Sequence, residues 1–138
     1  MSKKVAVDKG TERAMKKLGE LIMACRGERS LRQIAFPSGI SASQLQSIER
    51  GILAPTADIY PKLVNTLQPD EKQKAELDRL YMTIRKTPPP DVCEQLISNP
   101  NLITVLRTMD GAKLSKKEMN AVLTYIAQMK NKGDTDNG

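Results

Sequence analysis

Apolar residues return along this chain every three or four positions. From Thr11 onward, Ala14, Leu18, Leu21, Ile22 and Cys25 form one stripe, which predicts an amphipathic helix that fades near Gly27. Ser30 then offers a cap for a short helix through Pro37, with Ile34 and Ala35 facing inward. Pro37 ends or strains that helix, and Gly39 turns the chain. Ser41 opens a third helix, reaching Arg50. It has Gln44 three residues on, the spacing of a capping box, while Ile40 and Leu45 have that of a hydrophobic staple. Ile48 continues the buried stripe, and Gly51 stands where a helix stop is expected.

Residues 52–67 contain Pro55 and Pro61. A helix capped by Thr56 would carry Pro61 in its interior, so the firm part is expected over 60–67. A longer helix is expected from Asp70 to about residue 86, with Leu77, Leu80, Tyr81 and Ile84 on its apolar face. The "TPPP" run at 87–90 reads as a stiff, extended linker and as the main boundary of the chain. Short helices follow at 91–97 and 101–108. A last helix begins at Ser115, with Glu118 at its third position. Met119, Val122, Leu123, Ile126 and Met129 line one side of it at nearly heptad spacing. That stripe suits a dimer interface, or the inside of a small bundle packed on Leu96, Ile97, Leu102 and Leu106. Residues 1–10 read as a flexible basic arm and 131–138 as a disordered tail. The expected organisation is all-α: a domain over 11–86, the linker at 87–90, and a small helical C-terminal region over 91–130.

Composition agrees with helices. Apolar residues make up 39% of the chain and aromatics 3%, too few aromatic and β-branched side chains to supply several strands. The net charge is +6, concentrated in residues 1–32, where nine Lys and Arg stand against four Asp and Glu. A charge excess at one end fits a polyanion partner, or a solvated tail. The chain has no histidine, which removes the commonest general acid–base group and a frequent zinc ligand. No Gly-rich phosphate loop is visible. We therefore expect no enzyme, no cofactor and no metal site. Cys25 and Cys93 lie far apart without disulfide or metal spacing, as free thiols do in a reducing cytoplasm. The longest apolar run, "LIMAC" at 21–25, is too short to cross a membrane, and the first residues lack a signal-peptide core. The expected location is cytoplasmic.

The segment "SASQLQSIER" at 41–50 is almost uncharged, although the protein is basic. Two short helices joined by a glycine turn make a helix-turn-helix pattern. Such a pattern explains the missing charge. A helix entering the major groove meets base edges best with short or amide side chains, and cations around its rim can hold the phosphates. Gln44 is expected to serve the cap, whereas Gln46 and Ser47 are needed for neither cap nor core. Arg26, Arg29 and Arg32 cluster near the second helix as phosphate candidates, and Arg50 suits a phosphate or a pairing with Glu49 or Glu20.

Residues 18–67, with the skeleton "SLRQIA", "SGIS", "IERG" and "PT", resemble the phage-repressor/Cro type of helix-turn-helix regulator, the xenobiotic-response-element family. The resemblance implies a five-helix, lambda-repressor-like DNA-binding domain, bacterial or phage-encoded. It implies base contacts from Ala42, Ser43, Gln46 and Ser47. Phosphate contacts would come from Ser30, Arg29, Arg32 and Arg50, with Lys3 and Lys4 as an arm. Two departures stand out. Leu31 occupies a position where the family often places a phosphate-reaching Gln, and Pro37 and Pro61 fall within segments that the family builds as helices. The expected function is sequence-specific binding of double-stranded DNA by a homodimer at an inverted repeat, most simply as a repressor. Two alternatives remain open. One is an antitoxin whose C-terminal region binds a toxin or another protein or peptide. The other is a helix-turn-helix that serves as a protein-interaction module.

Overall fold

The structure is a computed structural model that describes residues 8–136. All regular structure among the described residues is helical. Helix α1 spans Lys9–Arg26, α2 Leu31–Ala35, α3 Ala42–Glu49, α4 Ile59–Leu67 and α5 Glu71–Arg85. They are followed by α6 at Pro90–Ser98, α7 at Asn101–Ala112 and α8 at Lys116–Asp136.

Helix α1 begins two residues earlier than Thr11. The Asp8 carboxylate accepts the Thr11 backbone N–H at 2.7 Å, so Lys9 and Gly10 are helical rather than part of a loose arm. Reciprocal capping boxes open the next helices. Ser30 and Gln33 cap α2, Ser41 and Gln44 cap α3, and Asp70 and Gln73 cap α5. Helix α2 stops at Phe36, immediately before Pro37. There the buried Ser38 hydroxyl donates to the Ile34 carbonyl at 2.7 Å, satisfying an acceptor that the ended helix leaves open. Pro61 does not break α4. That helix starts at Ile59, which puts Pro61 in the first turn, where a backbone N–H has no intrahelical partner in any case.

These five helices share one core. Leu18 and Ile22 of α1, Ile34 of α2, Leu45 and Ile48 of α3, Leu63 and Leu67 of α4, and Leu77, Leu80 and Tyr81 of α5 are all buried. The Tyr60 and Tyr81 rings stack with centroids 4.2 Å apart, and the Tyr60 hydroxyl donates to Asp78 at 2.6 Å. Helices α1 and α3 meet at glycine. A Cβ on Gly19 would overlap the carbonyl oxygens of Ile48 and Glu49, so the backbones touch there without an intervening side chain.

The chain divides into two compact units between Glu94 and Gln95. The division falls inside α6 rather than at the proline run. Pro90 is the first residue of that helix, a position that tolerates a missing N–H, so the extended segment is only 87–89. Within the second unit, Ser115 and Glu118 exchange hydrogen bonds of 3.1 and 3.0 Å at the start of α8. Helix α7 runs past the expected residue 108 to Ala112 and ends at Lys113, which has a φ of +50°. The tail expected to be disordered from 131 is helical through Asp136, and residues 137–138 lie outside the described part. No proline interrupts it, and one glycine, Gly133, costs a helix only about 1 kcal/mol. None of the described side chains of the second unit is buried.

Candidate functional site

Helix α3 has two distinct sides. Leu45 and Ile48 are fully inside, whereas Ser43, Gln46 and Arg50 are exposed and fall three to four residues apart on one outer face. Ala42 and Ser47 are half-buried at the margins of that face. The four residues expected to read bases are therefore grouped at the outward side of one helix. Gln44 is committed as expected: its side-chain oxygen accepts the Ser41 N–H at 2.9 Å, and its own N–H donates to Ser41 Oγ at 3.0 Å. Beside α3 lies an open concavity of about 690 Å³, lined by Arg32, Ala35 and Phe36 and by Ile40, Ala42 and Ser43.

The cations divide into two groups. Arg32 and Arg50 are exposed, and neither has an ion-pair partner among the described residues. Arg50 does not pair with Glu49. That carboxylate is held by Arg26, whose Nε and second guanidinium nitrogen donate to it at 2.6 and 3.0 Å. The Glu49 side chain is 2% exposed and that of Arg26 18%, so the pair is a buried tie between the ends of α1 and α3. The hydrogen bonds to Glu49 push the Arg26 guanidinium above its ordinary value.

Arg29 corrects the sequence reading. Its guanidinium donates to the carbonyls of Cys25 at 2.6 Å, Arg26 at 3.1 Å, Leu67 at 3.0 Å and Thr66 at 3.3 Å. It clamps the end of α1 to the end of α4 and is not a cation turned outward toward phosphate. The Ser30 hydroxyl oxygen likewise accepts the Gln33 N–H at 3.1 Å, as a helix cap. Lys3 and Lys4 lie outside the described residues. One cation was missed from sequence: Lys62 of α4, whose Nζ stands 3.9 Å from where a Gly39 Cβ would be, beside the turn between α2 and α3. A lone lysine some twenty residues downstream gave no sign of this.

Neither the chain as a whole nor any part of it matches a known family model, a curated protein or a solved structure. The site's chemistry must therefore be read from its own residues. An uncharged face of hydroxyl, amide and methyl groups, flanked by Arg32, Arg50 and Lys62, can exchange directional hydrogen bonds with an ordered polar surface while the cations hold anionic groups around it. Cys25 offers no activated nucleophile, since burial pushes its thiol up from the ordinary range. Among the described residues no three His, Cys, Asp or Glu side chains gather as a metal site would require, and no helix is long and apolar enough to cross a membrane.

The second unit offers a different surface. Met119, Leu123, Ile126 and Met129 of α8 are exposed and Val122 is half-buried, so the stripe lies open. Of the side chains expected to back it in a bundle, Leu96 and Leu102 are half-buried, whereas Ile97 is 79% and Leu106 52% exposed.

Proposed function

We propose that this protein is a sequence-specific double-stranded DNA-binding transcriptional regulator of the phage-repressor/Cro type. In this reading α1 to α5 form a lambda-repressor-like domain, and α3 enters the major groove. The observation that carries the proposal is the outer face of α3. It is free of charge at Ala42, Ser43, Gln46 and Ser47, and it is bordered by the exposed Arg32 and Arg50, neither of which has an ion-pair partner among the described residues. Base edges are read by such side chains, and phosphates are held by such cations. Arg32, Arg50 and Lys62 would hold the backbone, with Lys3 and Lys4 as a further arm. The exposed stripe of α8 would join two copies on an inverted repeat, doubling the length of sequence read. Blocking of transcription in the cytoplasm of a bacterium is the simplest outcome of such binding.

Selection of binding sites from random duplex DNA, with Gln46→Ala in parallel, tests this. The expected result is an enriched inverted repeat with half-sites about one helical turn apart, altered in the variant. Binding that falls with salt but is blind to sequence would refute it. The open apolar face of the second unit also supports a second reading, an antitoxin whose C-terminal helices cover a toxin. A small toxin that co-purifies with the chain, or a neighbouring toxin gene, would separate the two.

A further inference from the structure

Phe36 is the chain's single phenylalanine, and it is 86% exposed. It is not needed for the core, since the inward side of α2 is supplied by Ile34 and Ala35. Nor does it stand alone. It lines the same open concavity as Ala42 and Ser43, and Arg32, also in the lining, lies one helical turn before it. No acidic side chain lines this space. An occupant that suits it carries a small apolar group a few ångströms from an anion. In the major groove that description fits one feature of the base pairs, the C5-methyl of a pyrimidine beside its phosphate backbone, carried by thymine or by 5-methylcytosine.

We infer that Phe36 and Ala42 form an apolar reader for a pyrimidine C5-methyl group at one position of each half-site, with Arg32 holding the adjacent phosphate. This inference rests on the DNA-binding reading above and adds a specificity determinant outside α3. Phe36 contributes no hydrogen bond. It distinguishes bases only by the presence or absence of a methyl group.

The test uses the full chain and the duplex enriched by selection. Each thymine is replaced in turn by uracil, which removes only the methyl group, and affinities are measured for the wild type, Phe36→Ala and Phe36→Leu. The wild type is expected to lose about fourfold at one thymine per half-site, the order of one methyl group returned to water. Phe36→Ala should bind thymine and uracil equally there, and Phe36→Leu should keep part of the difference. Cytosine at that position should bind weakly, and 5-methylcytosine should regain the lost affinity. That result gives methylated DNA a route to this protein, whereas recovery by thymine alone would limit the reader to thymine.

A selected site with no methyl-sensitive thymine overturns the inference and leaves DNA recognition standing. So does a Phe36→Ala protein that keeps the full uracil penalty. A Phe36→Ala protein that changes its mass in solution, with that penalty intact, assigns the ring to a protein contact and also overturns it. Absence of any enriched site removes both readings together. Because the ring is exposed, the variants should show wild-type thermal unfolding, so lost affinity is not lost fold.

Discussion

Glu49 shows how far a single position can be from its apparent role. In sequence it is an acid next to Arg50, near the end of a helix that faces outward. In the fold it is enclosed and held by Arg26, 23 residues away. Arg26→Ala would leave a buried carboxylate without its partner, and we expect a loss of about 3–5 kcal/mol in chemical denaturation. Gly19→Ala should be comparably severe, because its Cβ has no space against the α3 carbonyls. Tyr60 gives the pH dependence. Burial and the bond to Asp78 raise its phenol above its ordinary value of 10.0, so the native state keeps it neutral. The stability this gives is complete below about pH 10 and is lost as the pH climbs above that. Unfolding measured across this range should fall less steeply in Tyr60→Phe. None of these residues was legible beforehand. Their partners are distant in the chain, whereas Leu18, Leu45 and Ile48 announced their burial by spacing alone.

Helix starts were the most readable elements, because a cap and its answer lie three residues apart. Ser41 with Gln44 and Ser115 with Glu118 were legible on that basis, and both pairs exchange their hydrogen bonds. The same pattern at Asp70 and Gln73 caps α5, and Asp8 caps α1 although Gly10 suggests a loose arm. Proline misled in the other direction. Its cost depends on which turn it occupies, and that depends on a start that sequence places only within a residue or two. Ser41→Ala should lower stability by about 1 kcal/mol, a shift of roughly 4–8 °C in Tm for a domain of this size. Pro61→Ala should leave Tm nearly unchanged, since no hydrogen bond of α4 is missing at that position.

The first unit has a continuous core, whereas none of the described side chains of the second is buried. The sequence showed the α8 stripe but not which way it would face, since heptad spacing serves an inner seam and an outer one equally. It also placed the boundary at the prolines, although Pro90 can begin a helix and does. If the α8 stripe joins two copies as proposed, the double variant Leu123→Asp, Ile126→Asp should be a monomer in sedimentation at micromolar concentration where the wild type is a dimer. The unfolding of the first unit should stay as it was, because neither side chain takes part in its core. One consequence follows from α7 and α8 having no buried side chain among the described residues. Helices in that condition gain stability only from whatever covers them, and for a self-pairing chain that gain grows with the amount of chain present. Abundance itself then becomes an input. In the proposed dimer, the second unit would be loosely held and open to proteolysis when copies are scarce. When they are plentiful, it would be ordered, and the two proposed reading helices would arrive together. A gradual change in expression would thereby emerge as a threshold in occupancy.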